Sequence, residues 1–383
     1  MLLLSNGNIL NTFILSKGTN QIVVNTYEFP NGTNKIMLWA VDKAGNTSSK
    51  LEIDTIVANF TSTEYNRVKN KNYYQIDTEE FEGETLLFYT DNNFSYIFFG
   101  KENDNFKPNK TTSSYIGVSS TGKIRSIKTS NKVLLFYQRD DDSLIVRTNK
   151  DSSLTNFYQM FNYGNTLDFE ILENNKLYLV RTTTNGILLV TDISNKSTNL
   201  ITNLNRDSFV FSEKHQVYEN PIFGIYNDQD VIIFTNSGIL FQTNQSVIGG
   251  SIVSLSQNEL HICIYTNNIA NIYVFYDNTI FTNYAITNTN KILYIVGNRY
   301  NGSSIWGIVE EINNETLGIR ILQTDKNSVI RNQFVDEVMY SGTYSGFKEM
   351  TICSQDEFIK IIVISKEAET GSYYGKIVKF TGL

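Results

Sequence analysis

NKLYLVRTTTNGILLVTD, residues 175–192, consists of two apolar runs on either side of a short polar stretch. In the first run Leu177, Leu179 and Arg181 fall on one side of an extended chain, and Tyr178 and Val180 on the other. That is the period-two alternation of a strand. Asn185 and Gly186 tolerate the positive φ that a tight reversal needs, and Ile187 to Val190 lead back. The stretch is predicted to be a β-hairpin.

Six further hairpins of this type are found outward from it: 85–100, 132–148, 221–235, 259–277, 291–311 and 358–380. Their starts lie about 47, 44 and 45 residues apart in the first half, then about 38, 32 and 67, averaging near 45. Shorter apolar runs such as YIGVSS, SFVFSE, SIVSLS and TLGIRIL fill the intervals. A period of that size with about four strands per unit predicts a β-propeller. Seven blades are favoured, with six or five as alternatives because the second half is irregular. Inner strands covered on both faces by neighbouring blades also account for runs that are apolar almost without interruption.

Composition agrees with an all-β fold. Asparagine is in visible excess and alanine is scarce, while aromatic residues make up 13% of the 383 residues. Asn favours turns, Tyr, Phe and Thr favour strands, and a lack of alanine argues against helices. A net charge of −7, without any Lys/Arg-rich block, disfavours nucleic acid as a partner. Cys263 and Cys353 each sit in an apolar run and read as buried free thiols. MLLLSNGNIL lacks the basic start and apolar length of a signal peptide, and no window has the length of a membrane span.

Three segments follow: a β domain over 1–57, a stretch at 58–72 that is a linker or the first propeller strand, and the propeller over 73–383. Within the first, NGTNKIMLWAVDKAGNTSS resembles the closing strands of bacterial immunoglobulin-like domains of cell-surface and phage-tail proteins. There an alternating strand ends at a D-x-A-G-N turn, matched here by Asp42, Ala44, Gly45 and Asn46. The resemblance implies a short Ig-like β-sandwich piece with Trp39 as its core aromatic. It covers about one seventh of the chain.

Patterns that carry chemistry are few. WD40 dipeptides, a Kelch double glycine and the sialidase Asp-box do not recur, and Gly249-Gly250 stands alone. No zinc, P-loop, dinucleotide or nucleophile-elbow pattern occurs. The two histidines, His215 and His261, lie in a polar stretch and inside a strand respectively. Asp140-Asp141-Asp142 sits at a hairpin turn without calcium-loop spacing, so no metal or cofactor is expected.

Three C-terminal stretches, 298–306, 339–347 and 369–375, mix aromatics with Ser, Gly, Thr and Asn as adaptable recognition loops do. The candidate ligand-binding residues are Tyr300, Trp306, Tyr340, Tyr344, Phe347, Tyr373 and Tyr374. The whole resembles phage tail-fibre or baseplate proteins and phage-tail-like bacteriocins of low-GC Gram-positive bacteria. That resemblance implies a non-catalytic receptor-binding component of a virion or tail-like particle. Its partners would be a host surface polysaccharide or surface protein and other tail subunits, and the chain would be present in several copies. Two alternatives remain, a structural decoration or baseplate protein and a polysaccharide depolymerase on the same scaffold.

Overall fold

A computed structural model describes residues 2–4, 9–11, 32–57, 61–69, 75–90, 97–101, 109–110, 124–128, 133–138, 143–150, 153–162, 166–172, 177–182, 187–192, 197–203, 209–213, 215–218, 220–227, 229–313, 316–339, 347–355, 358–366 and 373–381. All regular elements among these residues are strands. The chain separates into two compact units, Met1–Thr61 with Phe380–Leu383, and Ser62–Lys379.

Among its described residues the first unit holds one antiparallel sheet in the order Ile9–Asn11, Leu2–Leu4, Gly32–Leu38, Leu51–Val57. The D-x-A-G-N pattern has a physical basis here. Asp42 Oδ1 accepts the backbone N–H of both Ala44 and Asn46 at 2.9 Å, and Oδ2 accepts the Asn46 side-chain amide. Gly45 takes φ +86°, the left-handed conformation that only glycine adopts without strain. These bonds hold the Asp42 carboxyl below the usual carboxylate range, the Asn46 side chain contributing most. Trp39 is half-buried, with the Lys50 ammonium 5.6 Å from its ring centre.

Among the described residues the second unit is a succession of seven open sheets. Sheet one comprises Ile76–Phe81, Glu84–Thr90, Ile97–Lys101 and Asn109–Lys110. Sheet two comprises Ile124–Lys128, Val133–Gln138, Ser143–Lys150 and Ser153–Asn162. Sheet three comprises Thr166–Leu172, Leu177–Thr182, Ile187–Asp192 and Ser197–Asn203, with His215–Gln216 added in parallel to its first strand. Sheet four comprises Phe209–Ser212, Ile222–Tyr226, Val231–Thr235 and Gly238–Thr243. Sheet five comprises Gly249–Ser254, Glu259–Tyr265, Ile269–Tyr276 and Thr279–Thr287. Sheet six comprises Lys291–Tyr300, Ser303–Asn313, Thr316–Thr324 and Val329–Met339. Sheet seven takes three strands from the C-terminal end, Phe347–Gln355, Phe358–Lys366 and Tyr373–Thr381, and its fourth, Thr61–Lys69, from the stretch 58–72.

The opening hairpin forms as read, with Tyr178 opposite Asp192 and Val180 opposite Val190. Tight turns explain other reversals. Glu82-Gly83, Asp277-Asn278 and Asn301-Gly302 all have positive φ at both residues, the signature of two-residue type I′ turns.

First strands of successive sheets lie side by side: one with two, three with four, four with five, five with six, six with seven, and seven with one. Apolar clusters fill the spaces between sheets. In Glu259–Tyr265, Leu260, Ile262 and Ile264 pack towards sheet four, against Ile222, Val231 and Ile233. Cys263 and Tyr265, on the alternate face, pack towards sheet six with Trp306 and Ile308. A strand clamped this way needs an apolar residue at nearly every position. Burial drops at the fourth strand, where Thr279–Thr287 is half-buried or exposed along its length.

Those fourth strands are sheet edges, and Ser197–Asn203, Gly238–Thr243 and Thr279–Thr287 contain neither charge nor proline. Each instead has a bulge against its neighbour, leaving Ile201, Leu240 and Phe281 without a register partner. A bulge bends and twists an edge, which discourages another chain from pairing with it.

Candidate functional site

Polar side chains in the interior gather on the first strands. Asp77 of sheet one accepts both the backbone N–H and the hydroxyl of Ser126 of sheet two, the hydroxyl at 2.9 Å. Two residues on, Glu79 accepts the Lys128 backbone N–H at 3.2 Å. Glu213, directly after the first strand of sheet four, repeats this clasp on Ser254 of sheet five, accepting its backbone N–H at 2.9 Å and its hydroxyl. Ser251 of the same strand accepts the Gly297 N–H of sheet six at 2.9 Å. Sheets that share no backbone ladder are thus joined by side-chain bonds to backbone amides, which satisfies buried groups on both sides.

Arg125 reaches further, donating to the Glu213 carbonyl at 3.0 Å and the Ser212 hydroxyl at 2.8 Å. Burial pushes the Glu213 carboxyl up to about 8, and Arg299, Ser254 and Arg125 offset only part of that rise. Its surroundings favour the neutral acid at neutral pH.

Sheets five and six share a second polar group. His261 lies between Ser304, whose hydroxyl is 2.8 Å from Nδ1, and Glu259, whose carboxylate is 3.2 Å from Nε2. Serine, histidine and a carboxylate are the parts of a nucleophilic triad. Here His261 and Ser304 are both 0% exposed, so no substrate carbonyl can approach the hydroxyl. The group therefore acts as a cross-link between sheets. Glu310, also fully buried, accepts from Asn288 at 2.9 Å, Asn290 at 3.0 Å and the Arg320 guanidinium. Cys263 is free and buried, and burial pushes its thiol up, which keeps it protonated and unreactive.

The structure places two of the seven candidate recognition residues in the core. Trp306 is 0% exposed, its indole N–H donating to Thr324 Oγ1 at 3.1 Å. Tyr300 is buried, and its carbonyl accepts the Ser303 hydroxyl at 2.6 Å. Residues 298–306 thus form a tight Asn-Gly hairpin between two packed strands. Phe347, Tyr373 and Tyr374 belong to strands of sheet seven. Tyr340, Tyr344 and the acidic run 140–142 lie outside the described residues. His215 forms the short strand with Gln216 against Ile171 and Leu172. Among the described residues no cluster of His, Cys, Asp and Glu has the arrangement of a metal site, and no helix is long and apolar enough to cross a membrane.

The sequence did not reveal the serines as clasp partners, because Ser126 and Ser254 carry no local signal. Their role depends on a carboxylate 49 and 41 residues away. The double glycine is different. A Cβ on Gly249 would meet Tyr265, and one on Gly250 would meet the Phe211 ring, so both glycines are needed for aromatic packing.

No family model matches the chain, and no curated protein matches it. Solved structures do. BBS1N in complex with ARL6DN superposes with TM-score 0.51 at 10% identity, over 84% of this chain and 97% of that one. Raptor of Chaetomium thermophilum gives 0.54 at 11% identity, over 85% of this chain and 29% of that one. The Dos1 propeller matches more loosely, at 0.44 and 11% identity over 84% and 94%. The fold is β-propeller-like. At these identities the likeness extends to fold and no further.

Proposed function

We propose that the chain is a non-catalytic recognition component of a phage tail or tail-like particle. Its second unit is a closed seven-bladed propeller, and its first is an Ig-like piece that tethers the propeller to the particle. The target is a host surface polysaccharide or surface protein. The observation that carries this reading is the fate of the interior polar groups. Asp77, Glu213, His261, Ser304 and Glu310 are buried and engaged in bonds between strands or sheets, so the chemistry legible in the chain serves cohesion. On such a scaffold recognition falls to the connections between strands. The Asp42 turn and the four-stranded sheet of the first unit support the Ig-like part of the proposal.

Purified full-length protein is incubated with host cell walls, and both retention and release of reducing ends are measured. Retention without sugar release, reduced at least tenfold by Tyr340→Ala with Tyr344→Ala, is the expected result. Retention with sugar release would establish the depolymerase reading in its place. Absence of retention would establish a structural role within the particle.

A further inference from the structure

We propose that Glu213 and residues 215–218 form an internal strap that ties sheets two, three and five to sheet four, and that its grip requires Glu213 to stay protonated. The segment lies between the first and second strands of sheet four, yet it bonds to other sheets. Arg125 of sheet two holds its first carbonyl at 3.0 Å. His215 and Gln216 pair in parallel with Ile171 and Leu172, the end of the first strand of sheet three. Val217 donates its backbone N–H to Ser254 Oγ at 2.9 Å, so the serine that donates to Glu213 also accepts from the strap. Tyr218, 3% exposed, donates its hydroxyl to Asn278 at 2.9 Å, in the last turn of sheet five. Four sheets thus meet on Glu213 and residues 215–218, and the connection from Ser212 to Ile222 is nine residues long, where one that only had to reverse sheet four would need about two to five.

The weak member of this arrangement is the Glu213 carboxyl. It is 6% exposed and receives two hydrogen bonds, both from Ser254 on one oxygen. Arg125, the cation that reaches the strap, directs two of its N–H groups at a backbone carbonyl and at the Ser212 hydroxyl. A buried carboxylate is stable when several donors share its charge, and two donors on one oxygen serve a neutral acid as well as an anion. Among the described residues, the other charges acting on it are Arg299 from the first strand of sheet six and Arg125 itself. The first strand of sheet three carries Asp168 and Glu170, that of sheet two also Lys128, that of sheet six also Lys291, Tyr294 and Tyr300, and the strap His215 and Tyr218 with Lys214 next in sequence to Glu213, whereas the first strand of sheet five has no ionisable group.

The direction follows from linkage. With the strap closed the carboxyl titrates at about 8, raised chiefly by burial, against an ordinary value of 4.5. Closure is therefore fully favoured below the ordinary value, and its advantage declines as pH rises towards the closed-state value.

The test is amide hydrogen exchange on the full-length protein from pH 5 to 9, corrected for intrinsic exchange rates. In the wild-type chain, protection at Val217 and Ser254 is expected to fall by up to about tenfold per pH unit below pH 8 and to level off above it. Glu213→Gln, which mimics the neutral acid, should keep protection high and flat across the range. Ser254→Ala should lower protection at every pH and keep a downward slope, since it removes the hydroxyl's bonds to Glu213 and Val217 and no charge. A wild-type profile without slope, a slope retained in Glu213→Gln, or a flat profile in Ser254→Ala would overturn the proposal. Should Glu213→Gln fail to fold, the other two profiles decide.

Discussion

Gly297→Ala is the sharpest probe of how sheets five and six fit. Gly297 pairs with Trp306 across the first two strands of sheet six, and an added Cβ would stand 2.6 Å from Cε3 and Cζ3 of the indole while also meeting Val253. Carbon atoms pack at about 3.5–4.0 Å, so the ring or the backbone has to retreat by about 1 Å. Trp306 has no room to do so. It is fully buried and tethered to Thr324 at 3.1 Å, with Ile272, Ile295 and Leu322 in its cluster. Overpacking a tight core costs about 1–3 kcal/mol. Straining the indole bond adds about 1 kcal/mol. The expected loss is about 2–4 kcal/mol, read from urea unfolding followed by far-ultraviolet circular dichroism. Trp306→Leu supplies the control, because removing the ring removes the indole part of the clash and leaves the Val253 contact. In that background the alanine should cost about 1–2 kcal/mol less than in the wild type, and that difference is the coupling between the two positions. An alanine that costs the same in both backgrounds, or nothing in the wild type, would refute this account of Trp306 as a wedged core residue. Wall retention should be lost only in proportion to unfolding.

Two further expectations concern the polar groups. His261→Ala removes the partner of the buried Ser304 hydroxyl and leaves a void, so stability should fall by about 2–4 kcal/mol in urea unfolding while wall binding by the folded fraction is unchanged. In the first unit, Asp42 is held below the ordinary carboxylate value of 3.8, so its turn is stabilised above that pH and loosens as pH falls through the lower folded value. Amide exchange at Ala44 and Asn46 should show this loosening in the wild type, whereas Asp42→Ala should exchange fast at every pH.

Much of the fold is legible because hairpin formation is local. The seven apolar pairs at 85–100 through 358–380 are all strand pairs of one sheet each. The apparent irregularity of the second half has a simple origin. Six of these pairs are the second and third strands of their sheets, but Lys291–Tyr300 with Ser303–Asn313 is the first and second. Second strands begin at residues 84, 133, 177, 222, 259, 303 and 358, a more even series than the hairpin starts. The shift arises because sheet six has long apolar runs in three strands, so periodicity alone does not show which two are the middle ones. The N-terminal strand Thr61–Lys69 was open to either reading for a different reason. Its partner, Tyr373–Thr381, is some three hundred residues away, and pairing over that distance leaves no mark on local composition.

The same distinction between local and distant information separates the site residues. The stretch around Tyr300 and Trp306 has the composition of a recognition loop, with Asn, Gly, Ser and aromatic residues together. Yet Asn301-Gly302 is also the strongest two-residue hairpin signal, and Tyr300 and Trp306 lie on the strands it joins. Where a dipeptide of that kind falls between two apolar runs, the turn reading takes precedence, since type I′ geometry leaves only two residues outside the ladder. The stretches at 339–347 and 369–375 contain no such dipeptide. The first runs between sheets six and seven, and the second leads into the third strand of sheet seven. A connection between sheets is not bound to a two-residue turn and has room for side chains that serve a partner. On that ground we propose Tyr340 and Tyr344 as the candidates to test first, and Trp306 is a measure of the core.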